Sequence, residues 1–449
     1  MGNIGINAPR GSELDVTIVG AGINGLMTAY FLSSCPGVRV KIFEAQSDPR
    51  LGRRPNDLSP TFGGQTGSNT VRHITGSESL VPPVGLPSIP AWVGQLRNDH
   101  TSSSADKPEH KTFSDLTRIV ASHVSSSDFD PYHALLNYAG LELWLALSRP
   151  ELLQSIMTRD GMNVYYQDGQ IFREDVQGDT RLYLAGHQIN RPIVQTTNTV
   201  GYLSPVFENC FSIPGMTLDI RQCGIALLNA LSVRDNIDIV FNAYIGEKPV
   251  DCDVVIWASN STHAPVEVNV ITGLMGYWTS IDNSQLGITE PFKYFLEFPM
   301  GVLNVTPDRH ERLQISGGLF WADHFGPGAR ELARFHKPEF LSQLKTHFPI
   351  DEVQQLTLDD VSGCIRPCGP QGLPVLKFTE DEVDISGGSK SGTTQAPVVA
   401  SAVLEYLGFD TAEAISRCWG DPAGLLLTRD ALNGIQRYAQ THRPLEMSM

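Results

Sequence analysis

The chain has 449 residues, 41% of them hydrophobic and 18% charged, and 33 basic against 49 acidic side chains give a formal net charge of −16. Such a chain buries a large core, which excludes a wholly disordered or fibrous protein, and at about 150 residues per domain it has length for roughly three domains. The acidic balance argues against a nucleic-acid partner, because displacing counterions from phosphate requires a basic face.

The first ten residues carry one Arg and no apolar core, unlike a secretory leader, and Ile6 disfavours myristoylation after Gly2. The apolar run from Leu14 to Leu32 is interrupted by Asp15, Asn24 and three glycines, so it reads as neither a membrane span nor a signal segment. Cys35, Cys210, Cys223, Cys252, Cys364, Cys368 and Cys418 form no CxxC pair. They imply a reduced compartment without a disulfide framework. A cytoplasmic protein with no membrane partner is the expectation.

Val16, Ile18 and Val19 form a short β-branched run, followed by Gly20-Ala21-Gly22-Ile23-Asn24-Gly25. A helical stretch, Leu26–Ser33, is broken by Pro36-Gly37, and a second strand, Val38–Phe43, ends at Glu44. Strand, glycine turn, helix, strand and acid make a dinucleotide fingerprint. Gly20 permits the tight turn, Gly22 lets backbone approach a pyrophosphate, and Gly25 lets the helix pack on the strand. The helix N-terminus offers the phosphates unpaired N–H groups and a positive dipole end, and Glu44 can accept both hydroxyls of an adenosine ribose. With an acid at this place and no Arg, a 2′-phosphate is disfavoured, which leaves NAD or FAD. A structural glycine turn in an unrelated α/β protein is the competing reading.

Further along, Pro82–Thr112 and Ser125–Ser127 read as exposed loops or insertions. Tyr132–Ser148 is expected to be a helix closed by Arg149-Pro150, and Asn163–Phe172 a hairpin around Asp168-Gly169. A helix is expected over Leu218–Leu231, and strands over Ile237–Phe241 and Val254–Ala258, with a peripheral tail after Leu407. The histidines lack HxxxE, HxxH or HExxH spacing, so no metal site is expected. Gly-x-Ser-x-Gly, a Walker lysine loop and paired carboxylates are also missing, which disfavours a hydrolase or kinase.

Five segments in order resemble the D-amino-acid oxidase family of FAD-dependent amine oxidoreductases, which includes glycine and sarcosine oxidases. The first is the Gly20–Gly25 turn. The second, Thr66–His73, resembles the family segment that passes the flavin ring and ends in Arg-His, here Arg72-His73. The third, Pro214–Asp219 followed by Asp253–Ala258, resembles the second pass through the FAD domain, with Ser259-Asn260 in place of the usual ending. The fourth is Gly363-Cys364-Ile365-Arg366-Pro367 with Gly372-Leu373-Pro374, where Gln371 replaces an expected Asp. The fifth, Gly387–Pro397, resembles the closing flavin-contact loop. Aromatic hydroxylases would need a late Gly-Asp-Ala-type motif, and Leu51–Arg54 is a poor echo of the Gly-Gly-Arg of monoamine oxidases.

The resemblance implies an α/β plus α+β architecture: a Rossmann-like FAD-binding domain interleaved with a mainly antiparallel-sheet substrate domain. The expected FAD domain comprises residues 13–80, 205–265 and 363–412; the substrate domain comprises 81–204 and 266–362, with a loop insertion near 97–130 and a tail over 413–449. FAD would be held by Gly20, Gly22, Gly25, Glu44, Arg72, Ala258, Cys364, Gly388, Lys390, Gly392 and Thr393. Arg366 resembles the arginine that clamps a substrate carboxylate, a task suited to a planar, permanently charged fork. Its structural alternative is a domain-interface ion pair. Lys390 would place positive charge near the flavin, and Arg72 and His73 would lie at the ring's re face. A solvated loop lysine and a structural imidazole are the alternatives for Lys390 and His73. Cys364 stands where sarcosine-oxidase-like enzymes attach the flavin 8α-methyl group covalently, with Cys368 as competitor. Gln314 falls near the place of their oxygen-activating lysine, which leaves molecular oxygen or another electron acceptor open. Tyr165, Tyr166, Tyr202, Tyr277, Trp278, Tyr294 and Trp321 are candidate pocket walls. The implied activity is oxidation of the C–N bond of a small-molecule amine or amino acid by hydride transfer. A specialised biosynthetic flavoenzyme with a multi-electron or lyase-like reaction, or a non-catalytic flavin-binding subunit, are the other readings.

Overall fold

β1 (Leu14–Val19) is buried at every position except Asp15, as befits a strand covered on both faces of a parallel sheet. It pairs in parallel with β2 (Val38–Glu44), Ile18 beside Ile42, and on its other edge with β8 (Val254–Trp257), Ile18 beside Ile256. The computed structural model describes residues 13–51, 71–75, 140, 143–144, 157–166, 194–195, 209–258, 272–295, 302–307, 311–322, 328–368, 375–386 and 392–419.

This first sheet has six strands in the order β14 (Val375–Phe378), β15 (Glu382–Ser386), β8, β1, β2 and β7 (Ile237–Phe241). Only β14 runs antiparallel to its neighbour. α1 (Ile23–Leu32), α2 (Ile220–Ser232), α4 (Gly392–Tyr406) and α5 (Thr411–Trp419) join its core. There Val16, Ile42, Ile256 and Ile385 cluster with Leu26, Leu227, Val403 and Ile415. Val19, Val255 and Trp257 form a smaller cluster with Ile245 and Cys252.

The second sheet has nine strands. Its order is β13 (Ser362–Cys368), β9 (Thr272–Asp282), β12 (Arg312–Ala322), β11 (Val302–Pro307), β10 (Phe292–Phe295), β4 (Met157–Tyr166), β6 (Asn209–Asp219) and β3 (Val71–Thr75), with β5 (Val194–Gln195) also on β6. Every pairing is antiparallel except β10 with β4. Away from the bulges at Met157–Met162 and Gly317–Phe320, alternation divides its faces. Tyr277, Phe292, Tyr294, Leu303, Val305, Leu313 and Ile315 form one core with Phe340 and Leu344 of α3 (Gly328–His347) and with Phe348. The intervening positions make a polar stripe by direct cross-strand pairing: Lys293 with Asn304, Asn304 with Ser316, Ser316 with Trp278, and Thr306 with Gln314 with Ser280. This is the expected fold class.

Several local expectations change. α1 begins at Ile23, so Gly25 lies inside it. β6 runs through Leu218, and α2 starts only at Ile220, because the strand completes its ladder with β3 first. Of the expected Asn163–Phe172 hairpin, Asn163–Tyr166 is the end of β4, and positions 167–172 lie outside the described residues. Asn163–Tyr166 already pairs with β6 on one edge and β10 on the other, and a strand has only two edges. Positions 71–75, 209–219 and 363–368, expected within the FAD domain, hydrogen-bond into the nine-stranded sheet. The tail expected from 413 begins inside α5, whose Ala414 and Ile415 are buried in the first core. Of Tyr132–Ser148, positions 140, 143 and 144 are helical; the others lie outside the described residues. Tyr165, Tyr277 and Tyr294 are core residues, with ring contacts such as Tyr277 to Phe340 at 5.3 Å and Tyr294 to Phe348 at 5.3 Å.

Candidate functional site

The parallel strands end at Val19, Trp257 and Glu44, and the crevice beyond such carboxyl ends is where open α/β sheets bind ligands. There the chain turns at Gly20, whose φ of 106° lies in the region that favours glycine, and its N–H donates to the Phe43 carbonyl at 2.8 Å. A methyl at Gly25 would sit 2.0 Å from the Gly20 carbonyl oxygen and 3.4 Å from the Ala258 Cβ. Turn and helix can therefore touch only with glycine at 25. Ala258, itself buried, donates its N–H to the Val19 carbonyl at 2.9 Å and keeps this contact small.

Gly22 behaves differently. A methyl there would meet nothing within 4 Å, so the space above it is open. Gly22 is also the N-cap of α1, without a side-chain cap and with no acidic residue in the first turn. Leu26 N–H takes the Gly22 carbonyl at 2.9 Å, which leaves the Ile23, Asn24 and Gly25 amides without helical acceptors. Open space lined by unpaired donors at a positive dipole end fits a pyrophosphate. Beside it, buried Glu44 accepts from the Ala21 N–H at 2.8 Å and the Gln46 N–H at 2.9 Å. Each bond uses one oxygen, and a carboxylate has about four lone-pair sites, so capacity for ribose hydroxyls remains. The residues present fit the dinucleotide part of FAD.

α4 follows β15, which lies beside β8 in the same parallel sheet. A methyl at Gly392 would also meet nothing within 4 Å, and Thr393 follows with its carbonyl accepting from the Trp144 indole N–H at 2.9 Å. Gly388 and Lys390 lie outside the described residues.

For the substrate side, backbone positions are described. Cys364 pairs with Gly276 and Arg366 with Leu274; Arg72 pairs with Leu218 and His73 with Thr217. Strand parity puts positions 364, 366 and 368 on the side of β13 shared by Ser362, the partner of Trp278 in the polar stripe. β3, which carries Arg72 and His73, approaches α2 and α4 of the first layer and β11 of the second. The structure thus brings these four positions to strands of one sheet. Gln314, expected near the site, is 7% exposed and donates to the Ser280 Oγ at 3.0 Å. Trp278 is half-buried in the stripe, and Tyr202 lies outside the described residues.

Sequence reasoning passed over three residues. Lys293 is 5% exposed in the stripe, and its signal was a lone lysine between Phe292 and Tyr294. Trp144 gave no local signal, since its partner is distant in sequence. Asp384 on β15 is buried with Oδ1 unpartnered, and burial pushes its carboxyl above the usual carboxylate range, partly offset by Lys377.

A six-stranded Rossmann-type sheet and a mainly antiparallel nine-stranded sheet make up the fold. Residues 18–72 match the NAD(P)-binding Rossmann-like domain family. The chain is similar in structure to glycine oxidase from Geobacillus kaustophilus, at 15% identity over 89% of this chain and 97% of that one, with a TM-score of 0.54. It is similar to iminodiacetate oxidase from Chelativorans sp. BNC1 at 17% identity, covering 88% and 96%, with a TM-score of 0.55. L-Proline dehydrogenase from P. horikoshii matches at 13% identity over 89% and 95%, with a TM-score of 0.52. At these identities the likeness is one of fold. No curated protein matches the chain in sequence. Among the described residues no helix is long and apolar enough to cross a membrane, and no group of His, Cys, Asp or Glu is placed to hold a metal ion.

Proposed function

We propose that the chain is an FAD-dependent oxidase or dehydrogenase acting on the C–N bond of an amine or amino acid that carries a carboxylate. The observation that carries this reading is the open space over Gly22 beside the uncapped N-terminus of α1 and the pre-set Glu44 carboxylate. Gly20, Gly22, Gly25, Glu44 and Ala258 would hold the dinucleotide half, and Gly388, Lys390, Gly392 and Thr393 the flavin side. When bound, FAD supplies the hydride acceptor that the twenty amino acids lack. The chain's own task is orientation and charge. Arg366 clamps the substrate carboxylate through two parallel N–H donors, which fixes the carbon beside the nitrogen. Lys390 and the α4 dipole hold positive charge where negative charge develops. Arg72 and His73 line the opposite side. The product is an imine and, with oxygen as acceptor, hydrogen peroxide. Cys364, paired with Gly276 where a large side chain is missing opposite, is the proposed thioether link to the flavin, and Cys368 its alternative.

Purified protein should be yellow and should bleach anaerobically with a carboxylate-bearing amine. Peroxide on re-aeration identifies an oxidase; its lack, with turnover on an artificial acceptor, identifies a dehydrogenase. A chain that neither contains nor binds FAD overturns the proposal. Flavin that stays with the acid-denatured protein establishes attachment, and loss of that attachment in Cys364→Ser assigns it.

A further inference from the structure

α4 carries a proline inside the helix, Pro397, five residues after Gly392. Proline has no N–H, so the Thr393 carbonyl, four residues earlier, loses its helical donor. A partly buried carbonyl without a donor is unfavourable and is normally satisfied from elsewhere. Here the donor comes from 249 positions away: the Trp144 Nε1–H reaches the Thr393 oxygen at 2.9 Å. Trp144 is fully buried, and Leu143 beside it joins the same core. Gly140 seals the contact. A methyl there would lie 2.0 Å from the Thr394 oxygen and 3.4 Å from the Gln395 Cα, so this helical stretch touches the α4 backbone directly.

We infer that Trp144 is a positioning residue for the cofactor: its indole N–H stands in for the amide that Pro397 lacks, and thereby sets the α4 first turn where it holds flavin. This rests on the FAD reading. In an ordinary helix the Thr393 carbonyl would be held by its own chain. With proline four residues on, that carbonyl is held instead by a segment that packs across the turn. The position of Gly392 and Thr393 at the crevice then depends on Trp144, while the α4 interior is buried from Thr394 to Leu404.

The test is a double-mutant cycle on the full chain, stripped of flavin and titrated with FAD. Trp144→Phe keeps an aromatic side chain and removes the donor, and FAD should bind about tenfold more weakly. Pro397→Ala restores a backbone N–H four residues after Thr393. In that background Trp144→Phe should change FAD affinity by less than about threefold, because the helix now satisfies the carbonyl. Equal tenfold losses in both backgrounds, or unchanged affinity in Trp144→Phe, overturn the inference while leaving the FAD reading intact. A lower melting temperature with an unchanged FAD dissociation constant shows a structural role only and also overturns it. Failure of the wild-type chain to bind FAD overturns the underlying reading and this inference together. If Trp144→Phe does not fold alone, folding and FAD binding should return in the double variant, and an unfolded double variant counts against the inference.

Discussion

α1 and α4 both follow strands of the six-stranded sheet, yet their N-termini are built by opposite means. At α1 everything needed is contiguous. Gly20 turns the chain, Gly25 lets the helix return onto that turn, and Glu44 closes the next strand over the Ala21 amide. At α4 the turn is shaped from outside, by Trp144 and Gly140, which lie far away in sequence. A helix end can therefore be aimed by local backbone rules or by tertiary contact, and the two should fail differently when disturbed.

Gly25→Ala should do the most damage. Its methyl meets backbone, which cannot move aside, so we expect a loss of about 3 kcal/mol in urea unfolding, with FAD binding lost too. In an unhindered helix the same change would stabilise by about 1 kcal/mol, so the sign itself reports the close approach. Gly22→Ala is the sharpest contrast. Gly22 has φ −70° and ψ 178°, an extended conformation open to any residue, and its methyl would enter only empty space. The stripped protein should melt as wild type does, while FAD affinity falls about 100-fold because the methyl takes the ligand's room. A destabilised stripped protein would break the contrast between the two glycines. Gly140→Ala should cost about 2 kcal/mol, through the Thr394 oxygen. Unlike Gly25→Ala, it should leave the exchange of the α1 amides unchanged, which hydrogen exchange can read.

The smallest effect is expected at Asp384. Its folded-state pKa is raised by burial, so between the unfolded and folded values the native state binds more protons, and stability falls as pH rises through that window. Asp384→Asn removes this decline. The variant should match wild type or fall slightly below it in acid, and exceed it by about 1 kcal/mol at neutral pH. A gap that does not grow with pH would contradict the sign.

The legible part of the fold is the part built from neighbours in sequence. Strand β7 falls at Ile237–Phe241 as its apolar pattern implies, and β2 ends at the acid that the fingerprint requires. Nothing local says that β6 and β10 occupy the two edges of β4 at Asn163–Tyr166. A buried leucine such as Leu218 suits the end of a strand and the start of a helix equally well, and only the ladder with β3 decides for the strand. Tyr165, Tyr277 and Tyr294 could be core or pocket wall from type alone; only their ring contacts with Phe292, Phe340 and Phe348 decide for core.

By itself, then, the sequence determined the dinucleotide turn, since Gly20, Gly22, Gly25 and Glu44 act through backbone conformation, close approach and short-range hydrogen bonds. It also carried the polar and apolar alternation that divides the nine-stranded sheet. The tertiary structure decided which side of that sheet holds Lys293 and Gln314, how positions 72, 73, 364 and 366 come to one sheet, and what satisfies Thr393. Those depend on pairing between segments tens to hundreds of residues apart, and pairing is settled by shared edges and packing that no local pattern contains.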